Sequence, residues 1–266
     1  MNNNLTEQAL WLTLAGAFMP PQRLEIFAAF RNDLVEDLTE LCGVLELDVA
    51  SDLFAFNHAV ARFVDQEALL IEYSQLFLQP PIPATLNLAR YVDGSLNGPC
   101  VDALENAYLR IGIVQRDTLR DTPDHVTMQL ETMACLLGEE QPAISPTAFA
   151  QICLFGALPR LAVTIANESP ESPYLLLARI AATAIRGHAV EPSPEDQHKF
   201  RHAERRADTN LGVWRHCKSC DKPFVREKEI AIMTKALSQA GLPSEHLALC
   251  PDCRDVVQGY FKRAIK

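Results

Sequence analysis

The sequence predicts an all-helical body followed by a small cysteine-bearing module, and three observations carry that reading. Of 266 residues, 48% are hydrophobic and 11 are glycine; with Leu, Ala and Glu abundant, this composition favours helices. No run alternates apolar and polar residues before position 210, so strands lack their period-two signal there. Two Cys-x-x-Cys pairs, at 217/220 and 250/253, then mark a separate unit.

Breakers and apolar periodicity place helices over 5–18, 21–45, 49–78, 99–114, 123–138, 146–167 and 172–188. A break near Asp65 is expected in the third, and a kink at Pro159 in the sixth. Residues 79–99 carry four prolines and the turn signals Asp93-Gly94 and Asn97-Gly98, the pattern of a long loop that gates a groove or acts as a hinge. The polar, Pro-rich stretch 191–197 reads as a linker, dividing a helical domain (1–190) from a basic module (198–266).

Within the body, Leu69, Tyr73, Leu76 and Phe77 recur at helical spacing and Pro80 ends the run. Thr122 reads as an N-cap, Pro123 as a first helical residue, and Val126, Leu130, Met133 and Leu137 as a core stripe. Asp124, Met128 and Glu131 are then expected on another face, two carboxylates flanking a thioether. Such a face suits a ligand that is apolar along its length and cationic at one end.

These segments resemble the TorD/DmsD/NarJ-like maturation chaperones of molybdenum and tungsten oxidoreductases over about residues 5 to 190. The resemblance rests on Glu72, Tyr73, Leu76, Phe77 and Pro80, then Pro83 and Tyr91, then Tyr108 and Gly112, and then Pro123, Asp124, His125, Leu130, Glu131 and Met133. Gln79 and Thr132 depart from the pattern, standing where many relatives carry Gly and an aromatic residue. The resemblance implies an all-helical, non-enzymatic, TorD-like chaperone. Its partner would be the catalytic subunit of one client oxidoreductase, held by its twin-arginine signal peptide or N-terminus until cofactor insertion. The implied peptide pocket carries over onto Tyr73, Leu76, Phe77, Pro80, Pro83, Tyr91, Asp124 and His125, with Glu72 in the motif. The helix-face reading adds Met128 and Glu131.

Charge divides unevenly. Residues 1–197 hold 10 Lys and Arg against 26 Asp and Glu, and residues 198–266 hold 14 against 8, giving −16 and +6 within the total of −10. An acidic body attracts a basic peptide and repels nucleic acid. The start, Met1-Asn2-Asn3-Asn4-Leu5, has no basic region or cleavage signal, and Arg179 interrupts the most apolar stretch. A cytoplasmic protein without membrane insertion, monomer or homodimer, is expected. No catalytic constellation is found, because Asp124 and His125 are consecutive and do not face each other on a helix.

In the module, Cys217, Cys220, Cys250 and Cys253 can close one tetrahedral thiolate site of a zinc-ribbon or treble-clef-like unit. Structural Zn2+ is the reading adopted; mononuclear iron is the alternative, and His216 is a neighbour of the site. A minor core of Trp214, Phe224, Ile230, Ile232, Leu237, Leu242 and Leu249 is expected, with helices over about 227–240 and after Cys253. Cys42, Cys100, Cys135 and Cys153 read as buried free thiols. The alternative function is a nucleic-acid-binding regulator acting through this basic module, although the run Lys199–Arg206 lacks interleaved aromatics.

Overall fold

The structure is a computed structural model that describes residues 3–80, 82–94, 98–113, 122–188, 214–239, 241–250 and 253. The chain divides into two compact units, Met1–Ala207 and Asp208–Lys266. The expected linker, the basic run Lys199–Arg206 and the helix after Cys253 lie outside the described residues.

The first unit is all-helical among its described residues. Its helices are α1 (Asn3–Ala17), α2 (Leu24–Asn32), α3 (Leu34–Val44), α4 (Ala50–Ala61), α5 (Gln66–Phe77) and α6 (Ala89–Asp93). After these come α7 (Pro99–Ile111), α8 (Val126–Gly138), α9 (Pro146–Ile152), α10 (Leu154–Glu168) and α11 (Pro173–Ala184), with a 3-10 turn over Ile185–His188. α1 packs against α8 and α3, and α11 against α10 and α4. Leu10, Trp11 and Leu14 of α1 are wholly buried, and Gln8 Nε2 donates to the Ala134 carbonyl of α8 at 2.9 Å.

Local chemistry explains where the helices differ from the expected spans. The 21–45 helix breaks at Asp33, after Asn32, both weak helix formers. The 49–78 helix stops after Ala61 and restarts at Gln66, where the Asp65 side chain accepts the Ala68 N–H at 2.9 Å. The 146–167 helix bends by 50° at Cys153, and Pro159 sits inside α10. Ser145 caps α9 by accepting from Ala148 N at 3.2 Å. Gly112 closes α7 at φ 72, left-handed backbone that glycine enters without strain, and Ile113 N returns to Tyr108 O at 3.0 Å. The expected loop over 79–99 contains α6, and α11 gives way to the 3-10 turn at Ile185.

Among the described residues no single helix is long and apolar enough to cross a membrane; α9 and α10 pass that test as a bent pair. Cys42, Cys100 and Cys153 are buried as expected, whereas Cys135 is exposed on α8.

The second unit holds an antiparallel hairpin, β1 (Trp214–His216) with β2 (Pro223–Arg226), and α12 (Glu227–Gln239). Ile230, Leu247, Cys217 and Cys250 are buried. Leu242, expected in this core, is 55% exposed, because it follows the Gly241 turn that ends α12.

Candidate functional site

The motif helix α5 turns its aromatic face inward. Tyr73, Leu76 and Phe77 are 2%, 3% and 5% exposed. Tyr73 and Phe77 meet edge-on with centroids 5.0 Å apart, and both pack on Tyr174 of α11, at 5.5 and 5.4 Å. The Tyr73 hydroxyl donates to the Phe18 carbonyl at 3.3 Å. This corrects the expectation that Tyr73, Leu76 and Phe77 touch a peptide: at spacings of three and four residues they form the apolar stripe that joins α5 to the core. Glu72 is half-buried and accepts from the Ser169 hydroxyl at 3.0 Å, a contact within the fold.

Asp124 is also corrected. It lies ahead of α8, which starts at Val126 with His125 as N-cap, the ring Nδ1 accepting from Thr127 N at 3.3 Å. Thr122 and Pro123 accordingly precede the helix and do not cap it. Asp124 is wholly buried. Its Oδ2 accepts from Ala89 N at 3.1 Å and its Oδ1 from Asn87 Nδ2 at 3.3 Å and the Thr122 hydroxyl. Backbone bonds complete the knot, Leu88 N to Asp124 O at 2.9 Å and Val126 N to Leu86 O at 2.8 Å. A carboxylate taken out of water needs such donors, and here they join the Pro-rich segment to the start of α8. Asp124, Met128 and Glu131 therefore do not share a helix face.

Tyr91 belongs to the same construction. Its hydroxyl accepts from Thr85 N and donates to Thr85 O, both at 3.0 Å, and burial pushes its titration up to about 12. Tyr108 donates to Pro123 O at 2.9 Å, and burial raises it further. Asn87 and Thr85, single polar residues of a loop, have no periodic signal in the sequence, and Thr122, expected as an N-cap, instead donates to Asp124.

Accessible positions remain around this framework. Pro80 and Glu131 are exposed, and Pro83, His125 and Met128 are half-buried. Leu78 and Ile82 are 56% and 39% exposed, so the motif helix ends in an outward apolar strip with Pro80. Residue Ile71, also outward-facing, lies seven residues before Leu78, the one spacing by which this face was legible.

In the second unit, Cys217, Cys220, Cys250 and Cys253 bring their Sγ atoms within 4.8 Å of one another. The knuckle forms because Cys217 N donates to Lys222 O and Asp221 N to Cys217 O, each at 2.9 Å, with Asp221 at φ 58. Cys220 Sγ and Cys250 Sγ are 3.7 Å apart. That separation is far beyond a disulfide bond and matches the edge, about 3.8 Å, of a tetrahedron with metal–sulfur bonds of about 2.3 Å. Burial pushes the Cys217 thiol up, but N–H groups of Cys250, Cys220 and Ser219 outweigh it and bring it down to about 6. Cys253 receives a Ser219 hydrogen bond that lowers it, yet the adjoining Cys250 and Cys220 leave it at about 12. One thiolate is favoured while Cys250 and Cys253 resist ionisation, the situation a cation relieves. The four cysteines can hold a metal ion. His216 Nδ1 lies 2.8 Å from Asp221 O, beside the cluster.

Residues 32–153, from α3 through α9 and including the α5 motif and the Asp124 knot, match the family described as nitrate reductase delta subunit. Over this segment, somewhat less than half of its 266 residues, the chain is similar to that family. No curated protein matches it. Among solved structures it is similar to a putative redox enzyme maturation protein from Archaeoglobus fulgidus, at 20% identity and a TM-score of 0.43, covering 68% of this chain and 93% of that one. The matched segment stops before α10, and the cysteine module lies outside it. The match over this segment does not favour the nucleic-acid-binding alternative.

Proposed function

We propose that this chain is a cytoplasmic, non-catalytic chaperone that binds the twin-arginine signal peptide or N-terminal segment of a molybdenum or tungsten oxidoreductase until its cofactor is inserted. The observation that carries this reading is the family match over residues 32–153. The peptide surface is the exposed end of α5, with Leu78, Pro80 and Ile82 as apolar contacts and Pro83 beside them. The half-buried His125 and Met128 and the exposed Glu131 of the α8 region are assigned to the same peptide, and the net −16 of residues 1–197 attracts the leader's arginines. Tyr73, Leu76, Phe77, Tyr91 and Asp124 support that surface from beneath.

The reading also assigns structural zinc to the four cysteines, which supply a hard-to-satisfy thiolate set and a scaffold for a unit with a small core. When bound, zinc would cross-link the two knuckles.

The test is fluorescence anisotropy of a labelled synthetic twin-arginine leader with the full chain. Binding that weakens with salt and falls about tenfold in Leu78→Asp/Ile82→Asp, with the melting temperature kept, supports the reading. Unchanged affinity in the folded double variant removes this surface from it.

A further inference from the structure

A groove of about 450 Å³ lies between α10 and α11, with Asp52 of α4 at one end; apart from Asp52 its lining falls outside the family-matched segment, and the leader surface does not use it. From α10 come Pro159, Ala162, Val163 and Ala166, a spacing of i, i+3, i+4 and i+7. From α11 and the turn after it come Arg179, Ala182, Thr183 and Arg186, which repeat that spacing. Each helix thus turns one complete stripe toward the groove. The floor consists of small side chains, with Ala162 and Ala182 at 7% and 6% exposure, while Val163 stands 61% exposed on the rim. A low floor between two helices receives the ridge of a third.

The charge on the rim narrows what that third element is. The ten cations of residues 1–197 are all arginine, set in a body of net −16. Arg179 is half-exposed and 3.5 Å from Asp52 at one end of the groove. Arg186 is exposed and, among the described residues, has no hydrogen-bond or ion-pair partner. An unpaired guanidinium beside an apolar floor presents a planar donor fork suited to a carboxylate. Arg179 and Arg186 are seven residues apart, so carboxylates about two helical turns apart along a guest meet both.

We propose that this groove docks an acidic amphipathic helix of a partner protein, its apolar face on the alanines and its carboxylates on Arg179 and Arg186. The ligand is opposite in charge to a twin-arginine leader, so this is a second surface, and its occupancy is independent of the leader reading.

The experiment uses the full chain and two fluorescein-labelled helical peptides rich in Ala and Leu, one with two Glu seven residues apart and one with Lys in their place. The Glu peptide is expected to bind, and to bind about tenfold more weakly to Arg186→Glu and to Ala166→Trp, the first removing the partner charge and the second filling the floor. The Lys peptide is expected to gain affinity for Arg186→Glu. Leader affinity is measured on the same variants and should not change, which separates failure here from failure of the proposed function. Equal binding of the two peptides, or equal binding of the Glu peptide to wild type and Arg186→Glu, overturns the proposal. So does sedimentation of the chain as a dimer that Arg186→Glu dissociates, because a second copy would then fill the groove.

Discussion

Asp124 Oδ2 accepts the backbone N–H of Ala89 at 3.1 Å, so a carboxylate from just before α8 caps α6, which is thirty-five positions earlier in the chain. With Asn87 and Thr122 on its other oxygen, this side chain holds the Pro-rich segment to the rest of the body. Its role is structural, and its removal is expected to act on folding first.

Asp124→Ala should therefore destabilise the first unit by about 2–4 kcal/mol, since three donors lose their acceptor in a buried site. Asp124→Asn should cost less, because an amide oxygen still accepts. Chemical denaturation followed by circular dichroism measures both; a wild-type transition for Asp124→Ala would contradict the structural role.

Phe77→Ala should cost about 3–5 kcal/mol, the range for emptying a buried aromatic site, because the ring packs on both Tyr73 and Tyr174. Leu78→Asp, one residue on and 56% exposed, should change stability by less than about 0.5 kcal/mol. Paired thermal melts test the contrast, which depends on which way each side chain points.

Glu7 ties α1 to the end of the helical body. Its carboxylate accepts from Trp11 Nε1 at 3.2 Å and pairs closely with His188. Burial raises its titration, but the hydrogen bond and charge of His188 prevail and hold it below the ordinary 4.5. A carboxylate lowered by folding stabilises the native state above its unfolded value and loses that contribution as pH falls through the lower, folded value. His188→Ala should accordingly lower stability at pH 7 by about 1–2 kcal/mol and make little difference once pH is well below the folded value of Glu7. Denaturant midpoints measured across the acid range decide this. A variant deficit that persisted unchanged in strong acid would show that the loss is one of packing.

Cys217→Ser should release the metal and loosen the second unit while leaving the melting of the helical body in place, since the chain divides at Ala207. Elemental analysis of protein purified without added metal, beside calorimetry, reads both effects. Colourless protein with one equivalent of zinc is expected, whereas visible absorption would indicate iron.

Much of this was written in local patterns. The spacing of Leu69, Tyr73, Leu76 and Phe77 identified a helix with one apolar face, because a 3.6-residue repeat is a property of neighbouring positions. The break at Asp65 was legible for a similar reason, a capping residue being a local acceptor. The four-cysteine cluster followed from two short pairs that favour one compact site. Family-like residues were legible too, and the match over 32–153 agrees with them.

Periodicity says that a face is apolar but not what covers it. The stripe containing Phe77 suited a guest peptide or a neighbouring helix equally well, and Tyr174, ninety-seven positions later, is what occupies it. Asp124 looked like the first turn of a helix, yet the backbone needed donors and acceptors from Leu86, Leu88 and Ala89, none of which shares a pattern with it. Helicity, core stripes and thiolate pairing were settled by residues close along the chain. Which aromatic rings became core, which carboxylate became a cap and where a groove stayed open were settled by contacts between distant segments, since burial and polar satisfaction belong to the assembled fold.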